Sequence, residues 1–205
     1  MSIKNTLNKI SLKRRPGPTP SFNVLDVIRL LRLLAKSDSI GRGKISERLG
    51  LGEGAVRTML KKLSKNGIIT ISRNGCSLTP KGKKVWTSIE EIMPKIIEIG
   101  RNELTLAPKS VAILVKGCAD KVKSGIEQRD AAVFSGAKGA VTIISKNNKL
   151  IIPSVSMNLE KDYPLAFKDI VYSIKPGEGD VIIISSGDSL REAEYGALAA
   201  AWTLI

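Results

Sequence analysis

Apolar positions first recur at helical spacing at Phe22, Leu25, Ile28, Leu31 and Leu34. This predicts a helix to about Lys36, capped by Thr19 or Ser21, with Pro20 tolerated in its first turn. Ser39-Ile40-Gly41-Arg42-Gly43 breaks the pattern, and residues 44–49 form a short helix that ends at Gly50-Leu51-Gly52. A further helix spans about 53–65, with Val56, Met59, Leu60 and Leu63 on the face that packs against the first helix. Asn66-Gly67 ends it. Residues 68–72 are β-rich and residues 76–78 return, joined by Arg73-Asn74-Gly75, and Asn-Gly is a strong hairpin signal. Thr79 then caps a new helix with Pro80 in its first turn, running to about Ile92 before Pro94 stops it.

Beyond this point the pattern changes. Residues 96–99 are a candidate strand, and residues 100–108 read as a turn-rich boundary. Residues 111–115 form a buried-strand run, followed by helical signal over 127–134. Residues 140–144 and 150–152 pair across Lys146-Asn147-Asn148, and a helical or mixed segment covers about 165–172. Strand 181–184 passes through Ser185-Ser186-Gly187 into a last helix from about Asp188 to Leu204. Single strands alternating with helices around a hairpin predict an α+β domain with a mixed sheet.

Charge divides the chain in the same place. Residues 1–104 carry 21 basic and 8 acidic side chains, whereas residues 105–205 carry 12 and 11. Nearly all of the net +14 therefore lies on the first half, and such an excess attracts a polyanion. The reading is a basic flexible arm at 1–20, a winged helix-turn-helix domain with its connector helix at 21–104, and an α+β effector-binding and dimerisation domain at 105–205. Within the arm, Lys13, Arg14 and Arg15 either reach a phosphate backbone or minor groove, or belong to a solvated tail.

The chain contains no histidine, which removes the Ser-His-Asp and Cys-His nucleophile systems and the commonest general base. Two cysteines, Cys76 and Cys118, give neither a disulfide framework nor a transition-metal site, and both read as packed thiols. No metal and no cofactor is expected. The longest apolar runs are too short to span a bilayer, and the basic start lacks a secretory apolar stretch, so a cytoplasmic protein is expected.

On the helix at 53–65 the outward face shows Glu53, Arg57, Thr58, Lys61 and Lys65. A recognition helix presents such residues to base edges in the major groove. Arg57 suits a bidentate guanine contact, and Thr58 a phosphate or thymine methyl. Lys61, Lys62 and Lys65 suit phosphates, although alone they would read as a solvated helix face. Arg42, Lys44, Arg73 and Asn74 complete the candidate double-stranded DNA surface, with the hairpin 68–78 as the wing on the adjacent backbone or minor groove.

These residues carry a resemblance. Gly41-Arg42-Gly43-Lys44, the run from Leu49 through Gly52-Glu53-Gly54 to Thr58, the wing and Leu78-Thr79-Pro80-Lys81-Gly82 look like prokaryotic winged-helix transcriptional regulators. The chain as a whole resembles an archaeal family in which such a domain precedes an uncharacterised C-terminal domain. That likeness extends through Gly125-Ile126-Glu127-Gln128-Arg129-Asp130, Gly136-Ala137-Lys138-Gly139-Ala140 and the final REAEYGALAAAW. It implies DNA binding by the first domain and supplies no activity for the second.

In the second half three features are candidate ligand positions. Gln128, Arg129 and Asp130 near Gly136 and Gly139 either clamp a small effector, with Arg129 facing its anion, or form an internal ion pair beside packing glycines. Gly187 and Asp188 lie where a strand enters a helix, and there the Asp188 carboxylate would cap the helix rather than leave its N–H groups to an anion. Cys118 could meet a helix N-terminus, though an inert thiol is the simpler reading. No segment fits a Walker or dinucleotide loop. The small residues Ala193, Gly196, Ala197 and Ala200 suit close packing on a sheet or on a twin helix. The sequence therefore points to a homodimeric, sequence-specific DNA-binding transcriptional regulator with a possible small-molecule effector. The alternatives are an enzyme with a winged-helix appendage and a non-specific nucleic-acid-binding protein.

Overall fold

The structure is a computed structural model that describes residues 4, 5, 7, 8 and 21–205. Lys13, Arg14 and Arg15 lie outside the described residues. Of the expected flexible arm, Lys4, Asn5, Leu7 and Asn8 are helical, and Leu7 is fully buried while Asn5 is exposed. The chain divides into two units, Met1–Ile89 and Glu90–Ile205.

The first unit is a winged helix-turn-helix. α1 (Val24–Ala35) begins at neither Thr19 nor Ser21 but at Asn23. There the side-chain oxygen accepts from Leu25 N (2.8 Å) and Asp26 N (3.3 Å), while the Asp26 carboxylate accepts from Asn23 N (2.9 Å). This reciprocal box satisfies donors that Ser21, two residues earlier, cannot reach. α2 (Arg42–Leu49) starts two residues before the expected Lys44 and ends in left-handed Gly50. Gly52 opens α3 (Glu53–Lys65), whose buried residues are Val56, Met59, Leu60 and Leu63, the four that the periodicity selects. The hairpin pairs β1 (Ile69–Ser72) with β2 (Gly75–Leu78) in the register Ser72 opposite Gly75.

α4 (Pro80–Ile92) follows Thr79, whose hydroxyl accepts from Gly82 N at 3.0 Å, as an N-cap does. A Cβ on Gly82 would stand 2.0 Å from the Ile68 carbonyl oxygen, so only glycine lets α4 meet the wing root.

The second unit is α+β, with a five-stranded sheet in the order β3-β4-β7-β5-β6. Its strands are β3 (Lys95–Ile99), β4 (Lys109–Val115), β5 (Gly139–Lys146), β6 (Lys149–Ile151) and β7 (Val181–Gly187). α5 (Ile126–Phe134) and α8 (Leu190–Trp202) pack on one face. On the other, α6 (Leu159–Asp162) and α7 (Pro164–Ser173) close a core of Ala112, Leu114, Ile143, Ile182, Ile184, Ile170 and their neighbours. Gly196 of α8 is pressed so close to the sheet that a Cβ would lie 2.4 Å from Ser185 Oγ. The small-residue stripe thus serves sheet packing.

Three expectations change. Every strand pair is antiparallel, so the sheet is not mixed. β4 and β5 do run in the same direction around α5, but β7, far away in sequence, inserts between them and pairs with both. Apolar runs covered by helices on both faces look alike whichever way they point. Second, the boundary falls near residue 89 rather than 104, because β3 pairs with β4. Third, Ser185-Ser186-Gly187 continue β7, and the cap of α8 is Ser189, which accepts from Glu192 N at 3.2 Å, rather than Asp188.

Candidate nucleic-acid interface

Burying four apolar residues on one side of α3 turns Arg57, Thr58, Lys61 and Lys65 outward. Arg57, Lys61 and Lys65 meet Arg42 from α2 around a groove of about 380 Å³, floored by Leu60, Ser64 and Ile71. Four cations from two helices thus face one concavity bounded by the first wing strand. Arg42 and Lys44 sit in the first turn of α2, which has no acidic residue there and no side-chain cap. Cations at a helix N-terminus oppose its dipole, so the placement costs stability unless an anion lies against it.

Other predicted residues are placed differently. Thr58 spends its only hydroxyl hydrogen on the Gly54 carbonyl (2.9 Å), which leaves its methyl and acceptor lone pairs for a partner. It is therefore no phosphate donor in this arrangement. Lys62 is half-buried with its ammonium 5.2 Å from the centre of the Phe22 ring, so it braces the segment just before α1 on α3 rather than facing outward with Lys61 and Lys65. Glu53, in the first turn of α3, complements that helix's dipole. Lys44, Glu53, Arg73 and Asn74 are exposed but do not line the groove.

The wing is anchored by residues that sequence reasoning treats as a break. Ile40 N donates to Cys76 O (3.0 Å) and Cys76 N to Ile40 O (2.8 Å), an isolated β-bridge that ties the segment before α2 to the hairpin. Ser39 Oγ donates to Asn74 O at 2.8 Å. Gly75, at φ +123°, is needed twice over, since a Cβ would also lie 2.7 Å from the Ile40 backbone. These bonds hold the Arg73 tip. Cys76 is fully buried beneath it, and burial pushes its thiol up while the Arg42 charge pulls it partly back. Buried Arg29 donates to the Leu49 carbonyl at 2.9 Å, tying α1 to the end of α2. Ile71 was also missed. Period two places it beside buried Ile69, yet it is 48% exposed because β1 runs out past the core.

In the second unit the ligand candidates do not assemble. Gln128 is buried and its amide donates to Thr203 Oγ1 (2.7 Å), beyond the C-terminal end of α8. Asp188 precedes the N-terminal end of that 13-residue helix and pairs with Lys138 (2.9 Å), raising the lysine above its usual value. The two are therefore separated by about 20 Å along the axis. Arg129 and Asp130 form an exposed pair with each other at 2.9 Å, not an internal one. Gly136 is exposed at φ +97°; Gly139 sits under the Leu106 side chain and Gly187 against Glu192. Cys118 is buried and donates to Leu204 O.

Comparison with known proteins places both units. Residues 23–84 match the PH0730-like N-terminal domain, and residues 106–204 match a domain of unknown function, DUF4443. The solved structure of hypothetical protein PH0730 from Pyrococcus horikoshii OT3 is 34% identical, with a TM-score of 0.73. The alignment covers 90% of this chain and 93% of that one. The chain belongs to the PH0730-like family. A curated protein, the central glycolytic genes regulator of Bacillus subtilis (strain 168), is 29% identical over 103 residues. That stretch is 49% of this chain, and the chain spans 28% of that regulator's length. A MarR/EmrR family transcriptional regulator from Acinetobacter sp. ADP1 overlaps 43% of this chain and 64% of its own at 25% identity and a TM-score of 0.31, too low to argue from. The family relationship thus carries a two-domain architecture with no assigned activity. Among the described residues no helix is long and apolar enough to cross a membrane.

Proposed function

We propose that this PH0730-like protein is a transcriptional regulator that binds double-stranded DNA in a sequence-dependent way through its winged helix-turn-helix unit. The observation that carries the reading is the convergence of Arg42, Arg57, Lys61 and Lys65 on one groove between α2, α3 and β1. With α3 in the major groove, Arg57 donates to a guanine edge, while Lys61, Lys65 and the α2 N-terminus hold backbone phosphates. Arg73, on the braced wing tip, meets the adjacent backbone or minor groove. The uncompensated cations in the first turn of α2 support an anionic partner, and the alignment with a protein named as a gene regulator supports the regulatory role. The candidate effector residues Gln128, Arg129 and Asp188 do not converge, so the proposal rests on DNA binding alone.

Selecting bound fragments from random duplexes, then titrating the enriched site, tests this. Arg57→Ala is expected to weaken the selected site about 10- to 100-fold and to relax preference at one position. Lys65→Ala weakens all sequences alike and lowers the salt slope by about one. Enrichment of no motif, or an Arg57→Ala variant with unchanged affinity and preference, overturns the reading.

A further inference from the structure

Every exposed residue of α3 is charged except two. Glu53, Arg57, Lys61 and Lys65 are exposed and charged, whereas Gly54 and Thr58 are exposed and neutral. The neutral pair is one turn apart, and Thr58 Oγ1 donates to the Gly54 carbonyl at 2.9 Å. A helical side chain leans over the turn before it, so Thr58 lies over Gly54. Glycine is a poor helix former, and nothing inside the protein calls for it at this position. Gly75, Gly82 and Gly196 each have a neighbour that a Cβ would strike. Gly54 is helical, and among the described residues nothing lies within 4 Å of the Cβ that alanine would carry there. The bare backbone leaves room for an outside group to come up against Thr58.

We infer that Gly54 and Thr58 together read an A·T base pair of the bound site, an inference that rests on the DNA reading above. The edge of the pair lies against the α3 backbone at Gly54, and the Thr58 methyl meets the thymine 5-methyl group. The hydroxyl decides which pair fits. Its one hydrogen is committed to Gly54, so toward a partner this oxygen only accepts. Phosphate oxygens and the guanine N7 and O6 also only accept, and they offer it nothing. The donors in the major groove are adenine N6 and cytosine N4, and the methyl group belongs to thymine alone. A·T is therefore the one pair that supplies both a donor for the oxygen and an apolar partner for the methyl. A C·G pair supplies the donor without the methyl. Thr58 thus adds a preference distinct from that of Arg57, its neighbour in the chain, whose guanidinium only donates.

Replacing each thymine of the selected site in turn by uracil, which lacks only the 5-methyl group, tests the inference with the full chain. The native protein is expected to lose about fourfold in affinity at the thymine that Thr58 reads, the worth of one methyl taken from water. Thr58→Ser keeps the hydroxyl and removes the methyl, so this variant is expected to bind the thymine and uracil forms alike at that position. Gly54→Ala is expected to weaken the selected site about tenfold or more, because its methyl stands where the base-pair edge comes. Its thermal midpoint should not fall, since alanine favours the helix and meets no neighbour. A motif in which no uracil weakens native binding overturns the inference and leaves the DNA reading standing. So does a uracil effect of equal size in Thr58→Ser, or a Gly54→Ala variant that binds as tightly as the native chain. Selection that enriches no motif removes the DNA reading itself, and this inference with it.

Discussion

Residues 1–89 carry 19 basic and 4 acidic side chains, and the described part of that unit folds as helices and a hairpin, while residues 90–205 carry 14 and 15 around a sheet covered by helices on both faces. In the first unit α1 is buried almost all round, while α3 buries one side and leaves cations on the other. In the second, β4 and β7 are buried almost end to end, and the exposed charges largely neutralise one another, as in Lys138 with Asp188 and Arg129 with Asp130. Both units have fully buried cores, with Ile28, Leu31, Met59 and Leu63 in the first and Ile113, Ile143, Ile182 and Ile184 in the second, so the difference lies in the charge each leaves on its surface. The same contrast explains why the groove at Arg57 can be read from the chain, while the glycines and charges of the second unit do not converge on a site.

One tryptophan lies in each unit, Trp86 in α4 and Trp202 in α8, so variants with the other replaced by phenylalanine report the units separately. The largest effect is expected from Gly82→Ala. Its Cβ would meet the Ile68 carbonyl, a backbone atom that no side-chain rotation relieves. The loss is about 3 kcal/mol in denaturant unfolding followed by Trp86, with the Trp202 transition unmoved. A matched loss at both tryptophans would show that the units unfold as one.

Gly196→Ala is the mirror experiment. The added methyl would lie 2.4 Å from Ser185 Oγ, which can rotate, and 2.5 Å from Ala137 Cβ, which cannot. About 2 kcal/mol is expected, now seen by Trp202 alone. A negligible effect would mean that α8 slides freely on the sheet.

The smallest effect concerns pH and the wing. The Cys76 thiol ionises above its usual range because the folded unit buries it, so folding favours the protonated form. This contribution is whole below the range where a free thiol ionises and is lost as pH rises toward the folded value. Stability followed by Trp86 should therefore fall on the alkaline side, and Cys76→Ala should flatten that slope while lowering the plateau. An unchanged slope would assign the alkaline loss to another group.

Local signals located most of the first unit. Helical spacing identified the four buried residues of α3, Asn-Gly placed the hairpin, and Thr79-Pro80 marked the start of α4, because each rests on contacts between near neighbours. What those signals missed was made by contacts across the fold. Ile40 reads as part of a loop until Cys76 pairs with it, and Lys62 reads as one more groove lysine until Phe22 lies beneath it.

The order of residues alone determined the two-part architecture, the cationic half, the elements of the winged helix and the outward face of α3, since periodicity and charge are properties of the chain itself. Tertiary structure alone decided that β7 inserts between β4 and β5, that Gln128 and Asp188 stand at opposite ends of one helix, and that Arg42 but not Lys44 lines the groove with the α3 cations. Each of these depends on which distant segments pair, and pairing is set by the free energy of the whole packed unit rather than by any local run of residues.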